Sequence, residues 1–211
     1  MEKSKLNIIA VILLFLSLIC LFSGISYSVF KYLGDGMTNN VIETGKVIFS
    51  YSDANGGSNG INITNALPIP DSTGKVLSGE SEYFDFSVTA TTTSTDLTYE
   101  VAVVKGDDST LDSKFAKIYL TTFEGIEEQE TPLTSLSTGV VTYDELSDTT
   151  NSLLTGKTIY YGTVKAGEVA YGKKFRLRMW IQDQNEVNFD YSQINYKYFS
   201  VKVNVAATGN Y

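Results

Sequence analysis

Apolar and polar residues alternate one for one in several short segments of this chain, and that period places every apolar side chain on one face of a β-strand. In residues 83–90, Phe84, Phe86, Val88 and Ala90 share one face while Asp85, Ser87 and Thr89 share the other. Leu97, Tyr99, Val101 and Val103 repeat the pattern. Phe175, Leu177, Met179 and Ile181 alternate with Arg176, Arg178, Trp180 and Gln182, and Phe199, Val201, Val203 and Val205 close the series. Residues 46–51, 115–122 and 158–164 are rich in β-branched and aromatic residues and add further strands. About seven or eight strands joined by polar connections predict an all-β fold, an antiparallel β-sandwich of jelly-roll or immunoglobulin-like type. The face carrying Arg176 and Arg178 is expected to be solvated or paired with acids on a neighbouring strand.

The punctuation between these segments is turn chemistry. Thr-Gly-Lys occurs at residues 44–46, 73–75 and 155–157, and residues 52–60 hold Asp53, Asn55, Gly56, Gly57, Asn59 and Gly60. A longer polar connection, residues 124–155, carries Glu124, Glu127, Glu128, Glu130, Asp144, Glu145 and Asp148, with a short helix expected near residues 142–146. No domain boundary is visible within residues 46–207.

Ahead of the strands, Lys3 and Lys5 precede an apolar run over residues 6–22, followed by the small residues Ser23, Gly24, Ser26 and Ser28. That is the order of a signal peptide, although the apolar run exceeds the roughly 7–15 residues usual for one, so a retained membrane anchor is the alternative. In both cases the lysines hold the N-terminus in the cytoplasm and send the rest outward, to the cell surface or the extracellular space. The sole cysteine, Cys20, lies in this run behind a bulky Ile19, where a lipidation signal requires a small residue; it reads as one more apolar side chain. The expected organisation is a signal peptide or anchor over residues 1–28, an extended arm or linker over 29–45, the sandwich over 46–207 and a C-terminal tail over 208–211.

Charge and composition narrow the function. The formal net charge is −8, with residues 1–28 contributing +1 and the remainder −9. The basic residues are scattered singly, which argues against nucleic acid as a partner. The sequence contains no histidine, which removes the commonest general base and every Ser-His or Cys-His pairing. Gly156, Lys157 and Thr158 match the end of a phosphate-binding loop, but Asn151 stands where its first glycine belongs; the segment reads as a turn. Ser72 to Lys75 fits S-x-x-K by coincidence, without the companion motifs. Asp183, Asn185, Glu186 and Asp190, and separately Asp53, Asn55 and Asn59, gather oxygen ligands of the kind calcium uses, but without EF-hand spacing, so they are expected to be solvated loop residues. No metal or cofactor is expected.

One stretch is apolar where a linker would be polar: Val29, Phe30, Tyr32 and Leu33, followed by Gly34, Asp35 and Gly36. Such an arm either folds back as an edge strand or adds to the sheet of a neighbouring subunit. Gly24, Ile25, Ser26, Tyr27, Ser28, Val29 and Phe30, then Asn39 and Asn40, then Glu43, Thr44, Gly45, Lys46 and Val47, resemble the start of the secreted TasA and camelysin matrix proteins of Gram-positive bacteria. The resemblance covers about residues 6–50. It implies a jelly-roll-like sandwich, export by the general secretory route and assembly into extracellular fibres through an N-terminal donor strand. Camelysins have been described as metalloproteases, but without histidine this chain has no H-E-x-x-H zinc site, and protease activity does not carry over. Nor does the sequence end in an LPxTG-like sorting signal, so sortase attachment is not expected.

The sequence therefore points to an exported, non-enzymatic surface or matrix protein that associates with itself or with another surface component, with Val29, Phe30, Tyr32 and Leu33 as the assembly arm. The alternative is a membrane-anchored binding module for glycan or protein, its ligand surface formed by Trp180, Asp183, Asn185 and Asp190. A hydrolase working with carboxylates alone is a third reading, for which no acidic pair can be placed from sequence.

Overall fold

The structure, a computed structural model, describes residues 31–34, 40–43, 47–53, 60–79, 81–93, 95–131, 133, 139–168, 171–185 and 189–210, the first three segments as backbone only. The chain divides into two compact units, residues 1–31 and 32–211. The expected signal or anchor, along with Val29 and Phe30, lies outside the described residues. Among the described residues no helix is long and apolar enough to cross a membrane.

Among the described residues, twelve strands form two sheets: β1 (Lys31–Gly34), β2 (Asn40–Glu43), β3 (Val47–Asp53), β4 (Gly60–Thr64), β5 (Tyr83–Thr92), β6 (Asp96–Lys105), β7 (Ala116–Glu124), β8 (Glu127–Glu130), β9 (Val140–Thr142), β10 (Lys157–Val164), β11 (Tyr171–Ile181) and β12 (Tyr198–Asn210). One sheet runs β1-β12-β6-β10, with β4 also on β12; the other runs β2-β3-β5-β11-β7-β8, with β9 also on β7. The registers of β2 through β12 are antiparallel throughout, and the two sheets make a sandwich-like arrangement.

The period-two residues fill the interior. Phe84, Phe86, Val88 and Ala90 of β5 are buried, as are Phe175, Leu177, Met179 and Ile181 of β11 and Leu97, Tyr99, Val101 and Val103 of β6. The Phe86 and Phe175 rings, opposite one another in the β5–β11 register, stack at 4.9 Å, and Tyr160 of the other sheet meets Phe175 edge-on at 5.0 Å. Each fully buried phenylalanine contributes about 1.5–3 kcal/mol by leaving water. Small residues matter as well: Ala102 and Ala206 leave room on the outer face of their sheet for Leu154, with Leu153 beside it.

Three sequence expectations change in the structure. The polar connection 124–155 yields β8 and β9 together with the expected short helical turn, which is a 3-10 turn at Tyr143–Glu145. Residues 208–210, expected in a tail, extend β12 opposite Asp96, Leu97 and Thr98. The face of β11 expected to be solvated or paired with acids is largely covered: Arg178 is 4% exposed, Trp180 2% and Gln182 7%. Its cover is the connection over residues 65–82, which includes a single helical turn, α1 (Asp71–Gly74), and is tied to β11 by the Ile69 amide donating to the Ile181 carbonyl at 3.1 Å, while the Glu128 side chain of β8 pairs with Arg178.

Candidate functional site

The covered end of β11 builds the most site-like feature. Residues 65–82 cross from β4 to β5 over Trp180, and Gly74 at the end of α1 presses its backbone on the indole face. Tyr119 of β7 contacts the same ring edge-on at 6.3 Å. Between β4 and this crossing segment lies a groove of about 480 Å³ whose walls include Ile63, Leu67, Leu77, Met179 and Trp180, with Asn62, Thr73 and Glu82 among its polar residues. Leu67 is 72% exposed at its mouth. Glu82 helps hold the crossing segment by accepting from the Ser78 and Gly79 amides at 3.1 and 2.7 Å.

Two polar atoms beside this region are unsatisfied. Among the described residues, the indole Nε1–H of Trp180 and the carboxylate Oδ1 of Asp71 are buried without a hydrogen-bond partner. Buried polar atoms are nearly always paired, and each lapse costs about 1–3 kcal/mol. The Asp71 Oδ2 lies 3.7 Å from Lys117 Nζ, so that carboxylate keeps one partner; the Trp180 indole has a single donor.

Beside the groove stands an ion-pair lattice. Arg178 donates to both carboxylate oxygens of Glu128 and to the Leu77 carbonyl at 2.7 Å, which joins β8, β11 and the crossing segment. Burial alone would raise the Glu128 carboxyl, but hydrogen bonds from Arg178 and Thr121 hold it below the ordinary carboxylate value. Glu130 is lowered by its hydrogen bond from Lys75, at 3.0 Å. Burial, with help from Glu130 and Glu128, pushes the Tyr119 phenol up to about 12.

A second groove, of about 400 Å³, lies further along the same sheet and includes Asp85, Phe123, Ile126, Lys174 and Arg176 in its walls. Arg176 is committed there: it pairs with both oxygens of Asp85 at 2.7 and 2.8 Å and packs over the rings of Tyr83 and Phe123. The expected cross-strand acid is thus Asp85, directly opposite in register.

Of the residues expected to form a ligand surface, Asp183 and Asn185 come together. Trp180 is not an exposed platform but a groove wall, because the crossing segment covers its outer face. Asp183 turns inward on its own loop and accepts from the amide and side chain of Asn185 at 3.3 and 3.1 Å. Asp190 caps the 3-10 turn Tyr191–Gln193, accepting from the Ser192 amide at 3.0 Å. These acids shape loops, and Glu186 lies outside the described residues. Among the described residues no three acids, cysteines or histidines gather as a metal site. Of the expected assembly arm, Tyr32 and Leu33 lie in β1, hydrogen-bonded to β12. Sequence reasoning missed the residues 65–82; their Pro68 and Pro70 signal an irregular crossing, but nothing in them names the strand they cross.

No protein-family model matches the chain, and no curated protein matches it. Among solved structures, it is similar to TmCBM27, a carbohydrate-binding module with specific mannan recognition, at 8% identity over 84% of this chain and 88% of that one, with a TM-score of 0.23. It is similar to the K1 cleaved adhesin domain of Lys-gingipain from Porphyromonas gingivalis W83 at 11% identity over 86% and 99%, with a TM-score of 0.24. The galactotriose complex of TmCBM61 matches at 10% identity over 77% and 88%, with a TM-score of 0.21. At TM-scores this low, none of these establishes a shared fold or a shared ligand.

Proposed function

We propose that this chain is an exported, non-enzymatic binding module that takes its ligand in the groove beside Trp180. The carrying observation is the open groove beside Trp180, which brings apolar walls together with hydroxyl, amide and carboxylate groups. That mixture suits a ligand offering apolar faces and hydroxyl acceptors together, as a glycan does. The N-terminal apolar segment supports the export reading, with a cell surface or an extracellular matrix as the proposed location. Trp180 is the sole tryptophan, so its emission reports on the groove directly. Soluble cell-wall and matrix polysaccharides titrated against the protein are expected to shift or quench that emission saturably; a flat response across the panel overturns the reading.

A second reading, assembly by strand addition, is favoured by the position of Tyr32 and Leu33 in a four-residue strand on β12. A strand that short is readily exchanged for the same strand of a neighbour, as the resemblance to fibre-forming matrix proteins implies. Protein lacking residues 29–34 is expected to lose polymerisation; equal polymerisation with and without them sinks this mechanism.

A further inference from the structure

The hairpin joining β7 to β8 holds an isoleucine out in water. Gly125 and Ile126 form its two-residue connection, and Gly125 takes φ +66° at the first position, where such a turn calls for glycine. Ile126 is left 97% exposed. It stands at the rim of the second groove, the one of about 400 Å³ with Asp85, Phe123, Lys174 and Arg176 in its walls. The alternation of β5, β7 and β11 puts these four on the outer face of their sheet. Charge within the groove is uneven. The Asp85 carboxylate and the Arg176 guanidinium cancel through two hydrogen bonds, and Arg176 is fixed further over the rings of Tyr83 and Phe123 at 4.0 and 5.2 Å. Among the described residues, the ion pairs of this face join Arg176 to Asp85 and Glu128 and Arg178 to Glu128, and none reaches the exposed Lys174. The groove therefore keeps one uncompensated positive charge beside an apolar rim, on a protein whose net charge is −8.

We propose that this groove is a second binding site, separate from the one beside Trp180, for the uronate residues of an acidic polysaccharide. A uronate carries in one ring both features that the groove can partner: a carboxylate for Lys174, and an apolar C–H face for Phe123 and Ile126. Asp85 keeps lone pairs outside its bonds to Arg176, and these accept ring hydroxyls. A lone ammonium flanked by apolar groups suits a ring carboxylate rather than a run of phosphates, which draws on clustered Lys and Arg. The groove also falls within the roughly 300–1,000 Å³ usual for ligand sites.

The test is calorimetric titration of the full chain in detergent with oligomers of galacturonate, glucuronate and mannuronate, each beside its fully methyl-esterified form. Saturable binding of at least one acid form is expected, with its ester weaker by at least about tenfold. Lys174→Ala should weaken the acid form by a similar factor without lowering the unfolding temperature, because Lys174 is exposed. The comparison of acid with ester on the unaltered chain stands even if that variant folds poorly. Trp180 emission should stay constant through these titrations, whereas a ligand in the other groove shifts it, so the two sites hold or fail separately. No binding of any of the three acids overturns the proposal. So does equal binding of acid and ester, or equal binding by Lys174→Ala and the unaltered chain. A Trp180 shift on uronate binding would assign the ligand to the other groove, and inorganic polyphosphate bound as tightly as the uronates would mark a general anion site; each also overturns it.

Discussion

Gly74 lies flat against the indole of Trp180, so close that a Cβ built on it would stand 2.2 Å from two ring carbons. The contact joins a turn in the crossing segment to the centre of a sheet face, and it needs a residue without a side chain. Gly74→Ala must therefore displace the ring or lift α1. Overpacking of this kind costs about 1–3 kcal/mol. Chemical denaturation should show that loss, and the emission of the folded variant should shift to longer wavelength as the indole meets water. An unchanged spectrum with unchanged stability would refute the contact.

Glu128 is the acid that makes Arg178 tolerable inside the fold. Removing it leaves a guanidinium 4% exposed without its carboxylate, although the Leu77 carbonyl remains. Breaking a buried pair typically costs about 3–5 kcal/mol, and because the Glu128 side chain is itself 27% exposed, about 2–3 kcal/mol is expected for Glu128→Ala. The double variant with Arg178→Met should recover part of it. A double variant no more stable than Glu128→Ala alone would show that the uncompensated charge is not the cause.

Glu100 latches the loop before β10. Its carboxylate, 3% exposed, accepts from the Thr150 and Asn151 amides at 3.0 and 2.8 Å and from the hydroxyls of Thr150, Thr158 and Tyr161. Burial opposes ionisation, yet these donors hold the carboxyl below its ordinary 4.5. A lowered folded value means that the unfolded chain binds the proton first on acidification. The latch therefore contributes its full stability above pH 4.5 and loses it as pH falls through the lower folded value. Glu100→Gln should flatten that part of the stability profile; a profile of unchanged slope would exclude this carboxylate as the source.

Phe175 sits at the centre of the interior, 0% exposed, between Phe86 and Tyr160. Phe175→Ala should cost about 3–5 kcal/mol, whereas Phe175→Leu should cost less because it leaves a smaller cavity. Equal losses for the two would show that the site collapses around the deletion.

The strands with strict alternation were legible because one wet and one dry face leave a period of two in the sequence. Gly156 was legible as a turn residue for a similar local reason: it takes φ +95°, and a Cβ there would meet the Val103 carbonyl oxygen at 2.4 Å, whereas Lys157 beside it already opens β10. β8 was not legible. Its Glu-Glu-Gln-Glu has no strand pattern, and it forms because the hairpin register sets Glu128 and Glu130 beside β7, within reach of Arg178 and Lys75. The groove escaped for the same kind of reason: Trp180 alternates as an outward residue, and only the path of residues 65–82 makes it a wall.

By itself, then, the sequence determined which side chains of β5, β6, β11 and β12 face inward, the absence of histidine chemistry and the presence of an N-terminal apolar segment, since each is a property of local order or composition. Only the tertiary structure decided what covers the other side of β11, which acid serves which arginine, and how Trp180 becomes a groove wall. Those are contacts between residues far apart in the chain, set by strand order and by a crossing connection, and no local period records them.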